Sequence, residues 1–223
     1  MKLDLRDIPF YYINLDDAVE RKEKTESQLK ELGIKHVTRV PAIRHTYGAA
    51  GTPRSMLAAL KLARSIPYGK PFVLLEDDVS VKRWDPIIDI PEDTDAFYLG
   101  ISGWGRMNSH SGPFVQWERV PGSDTTLRVY NMLSGHAIMY WSDRYIDLAM
   151  RICYHAGYNI EDHVDIGFAE VQRWHNVYAF DDPYFYQTSS GGNQTVTYSP
   201  LSEQQSVECI TYMKPYYLPQ RVV

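Results

Sequence analysis

Cysteine is almost missing: Cys153 and Cys209 are the only two in 223 residues. They form no CxxC, no zinc pattern and no disulfide framework, which favours a reducing compartment over a secretory one. Long apolar runs are missing too. No window reaches the roughly 20 apolar residues of a membrane span, and Met1-Lys2-Leu3-Asp4-Leu5-Arg6-Asp7 holds no apolar core of signal-peptide length. The expectation is a soluble, cytoplasmic protein. There is no excess of positive charge, since 23 Lys and Arg face 28 Asp and Glu for a net charge of -5. That balance argues against a sequence-independent nucleic-acid or anionic-membrane surface and leaves a small molecule as the expected partner. Repeats, low-complexity linkers and domain boundaries are likewise absent, and the length suits one α/β domain with a sizeable core.

Aromatic residues are abundant, with 17 Tyr and 5 Trp. They supply flat amphipathic surface for stacking on sugars or bases as well as core mass. The most informative stretch is Pro71-Phe72-Val73-Leu74-Leu75-Glu76-Asp77-Asp78-Val79-Ser80. Its apolar run reads as a strand buried on both faces, and three acids follow at its carboxyl end. In open α/β sheets that edge is where ligands bind. Adjacent like charges call for a cation, and Mg²⁺ or Mn²⁺ completing its shell with phosphate oxygens is the economical choice. The competing reading is a solvated acidic turn.

In chain order, Pro9-Phe10-Tyr11-Tyr12-Ile13-Asn14-Leu15 reads as a first buried strand. Asp16 or Asp17 then caps a helix from Ala18 to Leu32 that stops at Gly33. His36 to Val40 supplies a second strand, Pro41 to Gly51 a loop, and Thr52-Pro53 the start of a helix carrying Met56, Leu57, Leu60, Ala63 and Ile66 at helical spacing. The chain to Ser80 thus alternates β-α-β-α-β, which predicts a mainly parallel, helix-covered sheet in a single Rossmann-like domain.

The second half differs in texture. Strands are expected at Asp95–Gly100, Phe114–Trp117, Leu127–Tyr130 and Ala137–Trp141, forming an antiparallel extension, and Ser102–Arg106 and Ser109–Gly112 read as loop. Ser142 caps a helix to Tyr154, and Glu161-Asp162-His163-Val164-Asp165 opens another, with acids where the helix dipole favours them. Val177–Phe180 and Tyr184–Tyr186 are short strands, and Thr188 to Asn193 is a loop. Residues 1–100 are expected to bind a nucleotide and residues 101–198 an acceptor, with 199–223 a polar tail.

Several short motifs occur in one order: Tyr12-Ile13-Asn14-Leu15-Asp16 with Arg21, Gly51-x-x-x-Ser55 opening a helix, Leu74-Leu75-Glu76-Asp77-Asp78, Tyr98-Leu99-Gly100, Gly135-His136-Ala137 and Val164-Asp165. From residue 9 to residue 190 this order resembles glycosyltransferase family 25, which includes lipooligosaccharide and collagen galactosyltransferases. Gly51-Thr52 and Ser55-Met56 stand where that family usually has Gly-Cys and Ser-His, and the DxD-type motif is Glu76-Asp77-Asp78. The resemblance implies a GT-A fold, a nucleoside-diphosphate sugar donor (a UDP-sugar above all), a glycan or glycoconjugate acceptor, a divalent metal and inverting transfer.

The chemistry assigns roles beside that resemblance. Sugar transfer passes through an oxocarbenium-like centre while negative charge builds on the departing diphosphate. Asp78 is the leading metal ligand, with Glu76 beside it, and Asp77 or Glu76 would orient the ribose or metal-bound water. Asn14, Leu15 and Asp16 end the first strand at the same edge and should line the nucleotide pocket. Arg21 either reaches a phosphate or lies on a solvated helix face. Inverting transfer needs a base for the acceptor hydroxyl, and Asp162 and Asp165 are the candidates, set against a capping role. His136 and His163 are either hydrogen-bonded structural residues or ligands. Trp104, Trp117 and Trp174 are either a sugar platform or core, and Ser189 to Asn193 either closes over the diphosphate or is plain surface. Two rivals stand beside the transferase: a sugar-nucleotide or glycan-binding module without activity, and a metal-dependent phosphodiesterase, for which the seven His lack the expected ligand spacing.

Overall fold

The computed structural model describes residues 1–46, 48–65, 71–108, 110–158, 163–188, 199–204 and 206. A short strand β1 (Lys2–Asp4) leads through a single 3-10 turn into β2 (Phe10–Asn14), α1 (Val19–Glu31), β3 (Val37–Pro41), α2 (Gly48–Ala63) and β4 (Phe72–Glu76). This is the expected β-α-β-α-β unit. Strand β2 lies between β3 and β4 and runs parallel to both, with Ile13 opposite Glu76. Gly33, at φ 77°, takes the left-handed conformation that ends α1 without a side-chain penalty.

The rest of the chain adds β5 (Val79–Val81), β6 (Ile87–Asp89), β7 (Ala96–Tyr98), β8 (Gly105–Met107), β9 (His110–Gly112), β10 (Gln116–Arg119), β11 (Thr126–Asn131) and β12 (Ala137–Tyr140). Helices α3 (Asp143–Tyr158) and α4 (Val164–Val171) and strands β13 (Val177–Phe180) and β14 (Phe185–Gln187) follow. Among the described residues, eight strands form one sheet in the order β10-β11-β13-β7-β12-β4-β2-β3. The sheet is mixed. Its β2–β3, β2–β4 and β7–β13 pairs are parallel, and its other four pairs are antiparallel. The parallel character of the first half and the antiparallel turn of the second both appear, and β12 inserts antiparallel between β4 and β7.

Both faces of the sheet are covered, and alternate residues of each strand serve opposite cores. Tyr11, Ile13, Phe72 and Leu74 pack with α2, α3 and α4, while Phe10, Tyr12, Val73 and Leu75 pack with Leu29 of α1 and Ile88 of β6. A continuous apolar run is what such a doubly covered strand requires. Ser142 caps α3 as expected, its Oγ accepting from the Tyr145 N–H at 3.2 Å. No helix among the described residues is long and apolar enough to cross a membrane.

Neither Asp16 nor Asp17 caps α1, whose N-cap is Ala18 with no side-chain bond, because those acids pair with Arg39 and Arg44 instead. Two further segments also depart from the sequence expectation. Helix α2 starts at Gly48 rather than Thr52, which places Pro53 inside it. Ala49 and Ala50 are strong helix formers, and a proline near the start of a helix forfeits only one backbone bond there. Second, the stretch read as loop around Ser102–Gly112 contains the hairpin β8–β9. Its cause lies far off in sequence: the Asn131 side-chain Oδ1 accepts from Arg106 N at 2.8 Å, and its Nδ2 donates to Arg106 O and Phe114 O at 2.8 and 3.0 Å. One amide thus stands in for a neighbouring strand.

Candidate active site

Parallel pairing brings the carboxyl ends of β2 and β4 to one sheet edge, and the antiparallel β12 begins at that same edge. The His136 carbonyl accepts from Glu76 N at 3.0 Å. A cleft of about 330 Å³ opens there, bordered by Asn14, Leu15, Arg21, Glu76, Asp77 and Asp78 and by the loop Ala42 to His45 with Gly51, Thr52 and Ser55 of α2. The loop is seated on the helix: Ser55 Oγ accepts from Ile43 N at 2.8 Å, and a β-carbon on Gly51 would come within 2.8 Å of Ile43 O. A second chamber of about 190 Å³ shares Thr52 and Glu76 with this cleft and is bordered also by Leu133, Ser134, Gly135, His163, Val164, Asp165 and Gln187. Glu76 is therefore the wall between the two.

Asp77 is held by protein groups on both sides. Asn14 Nδ2 donates to its Oδ2 at 2.7 Å and Arg21 Nη1 to its Oδ1 at 3.2 Å. Asn14 is only 1% exposed, and its own Oδ1 accepts from Arg39 Nε at 2.9 Å. A relay Arg39–Asn14–Asp77–Arg21 thus fixes the middle acid, and Asn14 acts within it. Leu15 borders the cleft, but Asp16 does not: its side chain is 83% exposed and pairs with Arg39 at 2.5 Å.

Helix α1 offers the acidic turn one whole face. Arg21, Lys24, Thr25 and Gln28 share that face by helical spacing. Lys24 Nζ donates to Ser80 Oγ at 2.7 Å, Thr25 Oγ1 to Asp77 O at 3.4 Å, and the Gln28 amide bonds both Val79 O and Val81 N. A solvated helix face is one of the two sequence readings for Arg21, and that face is docked here. From the other side, Thr188 donates both N–H and Oγ1 to Asp78 O at 2.8 Å.

The remaining acids repel one another. Burial, then the charges of Asp78 and Asp165, push the Glu76 carboxyl up to about 8, against a 2.9 Å hydrogen bond from Gln187 Nε2. Burial also raises Asp165, against His163, the Ile166 N–H and Arg106. So the sequence-separated Asp165, in the first turn of α4, is brought to the acids of β4. Asp162, with Glu161, lies outside the described residues, as do Ser189 to Asn193 and Cys209.

These oxygen donors are of the hard type that Mg²⁺ and Mn²⁺ take. Among the described residues no three His, Cys, Asp or Glu gather closely enough to hold a metal unaided. The donor set therefore fits a divalent cation only together with oxygens brought by a ligand. His136 is buried, and burial pushes its imidazole down to about 4, so it is neutral at pH 7 and bonded through Nδ1 to Ser134 Oγ at 3.2 Å. That is the structural alternative. His163 borders the second chamber. Among the described residues Trp104, Trp117 and Trp174 border neither space, and Trp174 lies on the surface.

Sequence reasoning missed Arg39 and Gln187. A charged residue in a short strand-like run beside the Asn14 strand was the available signal for Arg39. Gln187 ends an aromatic run and gave none.

No protein-family model matches the chain, and no curated protein sequence does. Among solved structures it is similar to a glycosyltransferase involved in the glycosylation of the major capsid of PBCV-1, with a TM-score of 0.54 and 14% identity over 85% of this chain and 95% of that one. At that identity the likeness is one of fold: the mixed, helix-covered sheet described above is an arrangement that a glycosyltransferase also adopts.

Proposed function

We propose that the chain is a metal-dependent, inverting glycosyltransferase of the GT-A type, allied to family 25. It would move a sugar from a nucleoside-diphosphate donor, a UDP-sugar above all, to a hydroxyl of a glycan or glycoconjugate. One observation carries this reading: two adjoining spaces that share Thr52 and Glu76 bring the strand-end acids of β4 next to Asp165 of α4, and those two stretches are far apart in sequence. A transferase needs such a junction, because leaving-group and acceptor chemistry take place on opposite sides of one sugar carbon. The shared fold with a glycosyltransferase supports the same reading.

The larger cleft takes the nucleoside diphosphate. Arg21 lies at its rim with its guanidinium on Asp77, where it can also meet a phosphate oxygen. Mg²⁺ or Mn²⁺ would be held by Asp78, with Glu76 beside it, and would supply Lewis-acid stabilisation of the leaving diphosphate. Asp77 stays on its Asn14 and Arg21 partners and orients the ribose side of the cleft. Asp165 takes the acceptor hydroxyl proton as the acceptor oxygen bonds to the anomeric carbon. The bond from that carbon to the diphosphate oxygen breaks, and its electron pair leaves with the diphosphate. A carboxyl raised by burial is a stronger base than one in water.

Incubation with a panel of sugar nucleotides, with and without Mn²⁺, tests this. Release of nucleoside diphosphate from one donor, abolished by chelation, is the expected result. Binding without turnover in the presence of acceptor glycans would make the chain a binding module, and neither binding nor turnover would remove the sugar-nucleotide reading altogether.

A further inference from the structure

Strand β14 has no place in the eight-stranded sheet. It pairs antiparallel with β5, and Gln187 stands opposite Val79, the residue that follows the acidic turn. The next residue, Thr188, is bonded twice to Asp78 O and approached by Lys24 Nζ, which also bonds Ser80 Oγ. The position of Gln187 is therefore fixed by the same turn that carries the acids. Its Nε2 donates to Glu76 Oε2 at 2.9 Å, which leaves Oε1 as the oxygen turned toward Gly135. A β-carbon on Gly135 would lie 3.8 Å from that Oε1, and Gly135 borders the second chamber.

Resting on the transferase reading above, we propose that Gln187 is a positioning residue: its amide holds the plane of the Glu76 carboxyl so that the oxygen it leaves unbonded faces the second chamber, where that oxygen hydrogen-bonds a sugar hydroxyl. The last torsion of a glutamate is broad and shallow, so without a fixed donor the plane of its carboxyl wanders. The Gln187 amide removes that freedom before the ligand arrives, and Gly135 leaves the facing side open. Gln187 touches no reacting atom and acts through Glu76 alone.

Two variants and two measurements test this. Gln187→Met keeps the length and removes the donor, and Gln187→Lys restores a donor to Glu76. In the methionine variant kcat for sugar transfer should fall by roughly 10-fold or more, while KM for the sugar nucleotide stays within about threefold. The lysine variant should recover most of that loss. A merely structural glutamine would show a lower melting temperature and an unchanged kcat per folded molecule. Crystal structures of wild type and Gln187→Met give a readout independent of turnover: the Glu76 carboxyl should rotate when the donor is removed. An unmoved Glu76, or an unchanged kcat in the folded methionine variant, overturns the proposal. Absence of turnover in wild type overturns the transferase reading instead, and the crystal comparison still decides whether Gln187 orients Glu76.

Discussion

His136 occupies the space in which Gly100 would carry a side chain: a β-carbon there would lie 2.1 Å from Nε2. Gly100 lies just beyond β7 and His136 just before β12, two paired strands that meet at the site's edge. Gly100→Ala should destabilise the fold by about 1–3 kcal/mol through overpacking. In a His136→Ala background much of that loss should vanish. Thermal melts of the four proteins measure the coupling, and additive losses would contradict it.

The same histidine makes stability depend on pH with a defined sign. Its folded pKa of about 4 lies below the usual 6.5, because burial disfavours the imidazolium more than Asp78 favours it. The unfolded chain therefore binds the proton first as pH falls. The contribution is fully present above about pH 6.5 and is lost progressively toward pH 4, amounting to about 3 kcal/mol. Denaturant titrations of wild type and His136→Gln across this range should diverge in that direction, and parallel curves would count against it.

Asp95 holds a second polar knot, remote from the cleft. It is 2% exposed and accepts from Arg144 Nε at 2.7 Å, Ser142 Oγ at 2.5 Å and the Asn176 N–H at 2.9 Å. Burial raises its pKa, but the contacts with His175, Arg144, Ser142 and Asn176 prevail and hold it well below the carboxylate range. Its stabilisation is present above about pH 4 and fades as pH falls further. Asp95→Ala leaves the part-buried Asn176 N–H and the Ser142 hydroxyl without their acceptor, while the exposed Arg144 returns to water, and should cost about 1–3 kcal/mol. Nucleotide affinity of the folded fraction should be unchanged in calorimetry.

Asp78→Ala should abolish the Mn²⁺-dependent rise in melting temperature produced by a nucleoside diphosphate while leaving the apo melting point near wild type, since Asp78 follows a strand end and lies outside both cores. Asp16→Ala, whose residue lies outside the cleft lining, serves as the matched control. Equal metal-dependent shifts in the two variants would remove Asp78 from the metal.

Asp165→Asn separates binding from chemistry. It keeps a side-chain oxygen for the Ile166 N–H, now accepted at 3.0 Å, and removes the basicity. Sugar transfer should fall by roughly 10²–10⁴-fold with donor affinity little changed. A residue that only caps α4 would lose about 0.5–2 kcal/mol of stability and no turnover per folded molecule.

What was legible in the sequence was whatever local patterning dictates. The uninterrupted apolar runs of β2 and β4 announced strands covered on both faces, and the β-α-β order placed their acidic ends at one edge. Asp165 could be singled out, although capping and catalysis look alike in a first helical turn. Long-range side-chain bonds were not legible. The hairpin β8–β9 exists because Asn131 takes the place of a strand, and nothing between Ser102 and Gly112 encodes that. Arg39 and Gln187 matter through side-chain hydrogen bonds to Asn14 and Glu76, which no periodicity reports. The extra turn of α2 escaped because Thr52-Pro53 is a stronger local start signal than the small residues before it.

The insertion of β12 between β4 and β7 bears on how the chain assembles during synthesis. Until Ala137–Tyr140 leave the ribosome, β4 has a partner on one side only, and its other edge exposes unpaired backbone groups along the apolar run Phe72–Leu75. A fragment ending near Gly100 would keep every residue that borders the larger cleft yet carry that sticky edge, and it should self-associate rather than stay monomeric. The two chain halves that border the site should therefore fold together, and neither should behave as a separate module.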